Sequence, residues 1–397
     1  MLAVKVIPIP ADASRDPSIK HHAQRASLQL TIQDKSQDYN YHRIKSTNFS
    51  DAHFPLGVFD DSAMPEDITA PVSMCKIKAT FIEGGLILGV CYNHLLGDAF
   101  SYDLATAALA RHCNSIASGR TYVSALSELA QDRSRLVRQV PDRPDKTTTS
   151  CLTSILPPHE QGYTVKEPSF PTSAQVFRIS PESLYSIKTR AGRGADEWIS
   201  THDAVCALIF RTFVRARHAE GIIKDEDALL FSIAIDIRKY LPDLPQDWIG
   251  NAIAALRMSL TTSEVLSPDG LASIAAAIRT SIKEVTTGDV KNFFARAIAT
   301  PGYMLLDNEV GRSSDSTGMM LTTWRNFAPG KYDWPVDIGH FQVMRYPKDW
   351  QPMGWIVIWP DMEDGTWEIS TVMEEHVAKR FSEDEDFLKS ARPAWQR

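Results

Sequence analysis

The amino-acid sequence predicts an α/β protein. Strand-like runs flank glycine turns, as MCKIKATFI and LILGVCY do around Glu83-Gly84-Gly85. Other segments, such as AFSYDLATAALARHC, place apolar residues at helical spacing. The two kinds of element follow one another in irregular order, which argues against an all-helical fold.

Taken along the chain, Glu83-Gly84-Gly85 supplies the permissive dihedrals of a tight hairpin, so Ser73 to Tyr92 reads as two paired strands. His94 then falls just past a strand end, and NHLLGD becomes a strand-to-helix connection, a kind of place where reactive groups often sit. Between about Pro141 and Pro171 six prolines (141, 144, 157, 158, 168, 171) forbid regular helix or central strand. That stretch is expected to be an interdomain crossover. Patterning resumes with an extended AQVFRI and a helix opening at Ser180-Pro181-Glu182, a capping serine before proline at the first helical position. Ser200 and Asp203 form a capping-box-like start to DAVCALIFRTFVRARHA, FSIAID alternates as a strand should, and Leu271, Ile274, Ile278 and Ile282 mark another amphipathic helix. GWIVIWP and TWEISTVM flank Asp364-Gly365, a strong hairpin signal.

At 397 residues, 43% of them hydrophobic, the chain exceeds what one core usually organises. The expected division is an N-terminal lobe over 1–140, a crossover over 141–172 and a C-terminal lobe over 173–397. Lysine and arginine total 42 against 49 acidic residues, a net charge of −7 with no long basic block, which disfavours nucleic acid as a partner. The five cysteines are scattered, never closer than sixteen residues, which argues against a disulfide framework or a CxxC metal site and fits a reducing compartment. The N-terminus MLAVKVIPIP is broken by Lys5 and two prolines, and the longest apolar run is too short to span a bilayer. The expectation is a cytoplasmic monomer that binds neither membrane nor metal.

Familiar machinery is missing: the sequence has no GxGxxG, P-loop, GxSxG or HExxH. What remains is NHLLGD. A strand-end histidine can present a free ring nitrogen to a cleft, and its near-neutral pKa suits it to take a proton from a hydroxyl or amine. Asp98, four residues on, would orient that ring or brace the loop. Of eleven histidines only His94 has aspartate at this spacing, yet eleven trials make a chance match an open alternative.

Further segments settle the context. THDAVCALIFRTFVRAR resembles a helix of the HxxxD acyltransferase superfamily, the superfamily of BAHD enzymes and of fungal relatives such as trichothecene acetyltransferases. AIDIRKYLPDLPQDWIGNAI resembles its Asp-x-Arg, proline-loop and Gly-Asn stretch through Asp236, Arg238, Pro242, Pro245, Gly250 and Asn251. Thr323-Trp324 matches its Ser/Thr-Trp element, and VDIGHF sits where the family carries Asp-Phe-Gly-Trp-Gly. The resemblance runs from about residue 28 to the C-terminus.

This resemblance implies a two-lobed, chloramphenicol-acetyltransferase-like fold with an interdomain tunnel, no tightly bound cofactor, and acyl-coenzyme A as co-substrate. It implies acyl transfer to a hydroxyl or amine of a bulky secondary metabolite, with His94 as general base. Asp98 would pair with Arg238, and Asp337 would brace the fold. Thr323 and Trp324 would lie near the thioester, where a hydroxyl or indole N–H can donate to the developing oxyanion; simple packing is an equal reading for Trp324. His340, in the degenerate element Asp337-Ile338-Gly339-His340-Phe341, would be a second proton-transfer group or a packing substitution.

Two further departures stand out. Only ninety-three residues precede His94, so part of the first lobe is expected to be missing or remodelled, and the glycine usual after the aspartate is Ala99, with Gly97 before it. These departures keep alternatives open: the same fold running a coenzyme A-independent acid–base reaction such as cyclisation, isomerisation or elimination, or a non-catalytic binder.

Overall fold

The structure, a computed structural model, describes residues 28–55, 75–94, 96–124, 126–145, 151–152, 171–192, 198–299, 318–346 and 353–395. The chain divides into two compact units, neither continuous in sequence: residues 1–138, 242–252 and 327–347, and residues 139–241, 253–326 and 348–397. Two short segments from beyond residue 172 thus join the first unit, whereas the sequence reading gave everything after 172 to one lobe. Most of the expected crossover lies outside the described residues.

In the first unit, β1 (Leu28–Asp34), β2 (Cys75–Ile82) and β3 (Gly85–Tyr92) form a sheet in that order. β2 and β3 are the expected hairpin, with Ile82 opposite Gly85 and Gly84 at φ 74°, where a side chain would be strained. β1 runs parallel to β2. A short helix, Tyr41–Ser46, is capped by the Asn40 carboxamide and buries Ile44 against Phe49 and Ile82, with Tyr41, Ile87 and Val343 around them. The long helix Ala99–Ala117 follows β3. Segment 327–347 is tied to these elements by Tyr332 donating to Asp103, Asn114 to Asp333 at 2.7 Å and Tyr41 to Gln342 at 2.8 Å.

The second unit contains β4 (Thr172–Ile179), β5 (Ala228–Asp236), β6 (Ile253–Thr261), β7 (Gly318–Thr323), β8 (Trp355–Ile358), β9 (Trp367–Glu374) and β10 (Arg392–Pro393) in the order β10-β4-β9-β8-β7-β5-β6. Pairing is parallel for β5 with β7 and β7 with β8, and antiparallel elsewhere. β8 and β9 are the expected hairpin, with Gly365 at φ 80°. β5 was expected to alternate; instead Leu229 to Ile233 are all buried, as befits an interior strand with a parallel neighbour and both faces covered.

Ser180 caps helix Pro181–Ala191, with proline in its first turn, and Ser200 with Asp203 makes a full capping box on helix Thr201–Ala219, both as read from the sequence. The second helix is buried around most of its circumference; Phe210 stacks on Phe231 of β5 at 4.4 Å, and Arg217 meets Glu374 in an ion pair with both side chains at most 3% exposed. Such a helix is held by tertiary packing more than by propensity. Helix Gly270–Glu284 buries Leu271, Ile274 and Ile278 from the expected stripe. Among the described residues no helix is long and apolar enough to cross a membrane.

Candidate active site

The candidate site grows out of the strand-to-helix connection of the first unit. β3 ends at Tyr92 and the helix begins at Ala99, so residues 93–98 make the transition. His94 is exposed, and the turn that carries it closes through Leu96 N donating to Asn93 O at 2.9 Å. Asp98 is 2% exposed and is the N-cap of the helix. Its Oδ1 accepts from Ser101 N at 3.0 Å and faces the Ser101 hydroxyl at 3.0 Å, while Oδ2 accepts from Ala252 N at 3.0 Å. Three donors thus converge on one carboxylate, a use that satisfies an orphan helical N–H and braces the loop.

Segment 248–252 forms a clasp over this loop. Asp98 N donates to Gly250 O at 3.3 Å, Gly250 N to the Ser101 oxygen at 3.0 Å, and Asn251 Nδ2 to the His94 carbonyl at 2.8 Å. The Arg133 guanidinium donates to the Leu96 carbonyl. Two glycines permit the close approach. A Cβ on Gly97 would lie 2.6 Å from the Ser101 side chain, and one on Gly250 2.3 Å from a ring carbon of the buried Trp248. The clasp is anchored to the segment that carries Arg133: Trp248 Nε1 donates to Asp132 O at 3.1 Å, Ile249 N to Ala130 O at 2.8 Å, and Ser127 N to Asp247 at 2.6 Å.

Burial shapes the electrostatics around the loop. It pushes the Tyr92 phenol up to about 12, against the opposing pull of Arg133, and lowers Arg133 from the ordinary guanidinium value. Tyr102 and Tyr346 are pushed up to about 12 for the same reason, and Asp103 is raised by burial although the Tyr332 hydrogen bond partly offsets this. These phenols stay protonated at neutral pH.

The other residues singled out from the sequence are spread over both units. Arg238 belongs to the second unit, where its backbone N and its guanidinium donate to Asp236 at 2.9 and 3.2 Å. Thr323 ends β7; its Oγ1 is buried with no hydrogen-bond partner among the described residues. Trp324 donates its backbone N to Ile358 O at 2.8 Å and packs edge-on against Trp359 at 5.6 Å. Asp337 and His340 lie in the first unit and are exposed, so burial gives no account of either. Asp337 makes no side-chain hydrogen bond among the described residues. Arg133, Trp248 and Ser101 escaped the sequence reading. Asn251 was noticed only within a Gly-Asn pair, the one signal that pointed to the clasp.

A strand-end histidine on a braced loop, in an α/β chain of two units, defines a class within which the comparisons fall. The Transferase family model matches residues 46–388. The chain therefore belongs to the Transferase family, that of the BAHD-type acyltransferases. It is similar to the Enoyl-CoA isomerase/hydratase claC of Penicillium crustosum, 27% identical over 98% of this chain and 45% of that protein. It is also similar to the O-acetyltransferase pboB of Aspergillus ustus, 22% identical over 97% of this chain and 83% of that one. The chain spans less than half the length of the first relative and most of the second. The crystal structure of F. graminearum TRI101 complexed with coenzyme A and deoxynivalenol matches it with a TM-score of 0.74 at 18% identity, covering 92% of this chain and 82% of that one. The likeness establishes the two-lobed fold.

Proposed function

We propose that the protein is an acyl-coenzyme A dependent O- or N-acyltransferase acting on a bulky secondary metabolite, with His94 as general base. The observation that carries the proposal is the division of labour in NHLLGD: the aspartate is buried in backbone and hydroxyl bonds, while the histidine stays exposed on a braced turn. A neutral imidazole there takes the proton of the acceptor hydroxyl or amine as the acceptor attacks the thioester carbonyl. The imidazolium then returns the proton to the departing thiolate. Proton transfer of this kind supplies about a hundred- to ten-thousandfold in rate. The family membership and the O-acetyltransferase among the relatives support the reaction class.

In this reading Thr323 Oγ1, a buried hydroxyl with no partner of its own among the described residues, is a donor for the developing oxyanion, with Trp324 beside it in sequence. Asp98 pairs with Arg238, and His340 is a candidate contact for the acceptor. The protein works as a cytoplasmic monomer with acyl-coenzyme A as its co-substrate.

The test joins activity to binding. His94→Ala is expected to lower acyl transfer a hundredfold or more with the fold intact. Coenzyme A should raise the melting temperature, a ligand at a hundred times its Kd adding about 2.7 kcal/mol of stability. Near-normal turnover by His94→Ala sinks the mechanism. No stabilisation by millimolar coenzyme A, together with His94-dependent conversion of a substrate without any acyl donor, replaces the transferase by a repurposed acid–base enzyme.

A further inference from the structure

We infer that Asn251 and Arg133 are positioning residues for His94, holding its loop from two sides so that the imidazole meets the acceptor in one geometry; this rests on the reading of His94 as general base. The clasp runs alongside the loop almost residue for residue: Gly250 O receives Asp98 N, Gly250 N meets Ser101, and Ala252 N meets Asp98. Asn251 stands where the clasp reaches the histidine itself, its Nδ2 2.8 Å from the His94 carbonyl. The carboxamide orientation is dictated by chemistry, because the flipped amide would set two carbonyl oxygens against each other.

Its other end shows that the contact is retained at a cost. Asn251 Oδ1 is buried and has no partner among the described residues, so a half-buried polar side chain is kept there with one of its groups unmet. A side chain needed only to fill space would carry no such group. From the other side Arg133, half-buried and below its ordinary pKa, donates to the Leu96 carbonyl two residues after the histidine. Because Trp248, Ile249 and Asp247 bind the clasp to residues 127–132, Asn251 and Arg133 belong to one body. The His94 turn is gripped between them. A base displaced by about 1 Å loses on the order of a hundredfold in rate, so the grip acts on turnover more than on binding.

Asn251→Asp is the informative variant, since it keeps the shape and puts an acceptor where the donor stood. Acetyl-coenzyme A alone serves as the probe, with water taking the acyl group as acetate in place of the acceptor; free thiol release is followed over time, and the 13Cε1 resonance of His94, identified by its loss in His94→Gln, is followed over pH. Arg133→Lys, which keeps the charge and one donor, is measured beside it. Asn251→Asp is expected to lower thiol release at least thirtyfold at unchanged KM, and to broaden or shift the His94 resonance. Arg133→Lys should retain most of both. If His94→Gln abolishes thiol release while Asn251→Asp stays within threefold of wild type with an unaltered His94 resonance, the inference is overturned and the general base stands. If His94→Gln leaves thiol release intact, the general-base reading falls. The resonance needs no turnover, so an unaltered His94 line in Asn251→Asp overturns the inference even where thiol release is too slow to follow.

Discussion

Replacing Asp98 by asparagine should cost nearly as much stability as replacing it by alanine, and the reason is a count of donors. Ser101 N, the Ser101 hydroxyl and Ala252 N all point at the two oxygens of a carboxylate that is 2% exposed. Asparagine has one oxygen. If it keeps the Ser101 side, its NH2 faces the Ala252 N–H; if it flips, its NH2 faces the Ser101 N–H. The cheaper outcome forfeits one charge-assisted hydrogen bond, worth about 1.5–3 kcal/mol, and leaves a buried donor facing a donor, a further 1–3 kcal/mol or so. The expected destabilisation is about 2.5–6 kcal/mol, read from urea unfolding of wild type, Asp98→Asn and Asp98→Ala by tryptophan emission. An Asp98→Asn protein within about 1 kcal/mol of wild type would refute the reasoning, because one oxygen would then suffice and the clasp would owe nothing to the carboxylate.

Other outcomes follow from the same geometry. Gly250→Ala places a Cβ 2.3 Å from the Trp248 ring and should cost about 3 kcal/mol, the upper end for overpacking, seen as a lowered melting temperature; an unchanged melt would mean that the indole has room to move. If Asp98 and Arg238 pair as proposed, a double-mutant cycle on urea-unfolding free energies should give a coupling of about 0.5–3 kcal/mol, and a coupling near zero would show that they never meet. Burial pulls the His202 imidazole down to about 4 in the folded protein, whereas the unfolded value is about 6.5. Below pH 6.5 the unfolded chain binds a proton that the folded chain refuses, so stability should fall from there to about pH 4, with no further loss from this group. His202→Gln should flatten that limb of a pH series of urea midpoints, and an unchanged slope would assign it to other groups.

What the sequence disclosed was mostly local. Gly84 and Gly365 mark their hairpins because a positive φ at a turn is a one-residue requirement, and Ser180 and Ser200 mark helix starts because a cap acts over three residues. Parallel pairing leaves no such mark. β5, β7 and β8 are neighbours in the sheet, yet no turn residue joins them, and their order stayed hidden. The passage of segments 242–252 and 327–347 into the first unit was equally invisible, since an apolar or aromatic residue such as Trp248 declares that it will be buried but not against what. Arg133 is the extreme case. Nothing in the run Arg133-Ser134-Arg135 sets it apart, and only the fold turns its guanidinium onto the Leu96 carbonyl.

The His94 to Asp98 spacing acquires a physical meaning from this arrangement. Asp98 stands four residues on because it is the helix N-cap, three residues before the Ser101 N–H it accepts, while His94 sits two residues beyond the strand end at Tyr92. The interval measures the length of a connection, not a contact between the two side chains. The same reasoning accounts for a departure from the family pattern. Gly97 stands immediately before the aspartate, where a Cβ would meet the Ser101 side chain at 2.6 Å, and that serine lies within hydrogen-bond reach of both Asp98 and Gly250. In this chain the glycine is needed on the N-terminal side of the cap, where the loop and the clasp approach most closely, and Ala99 on the other side is free to begin the helix.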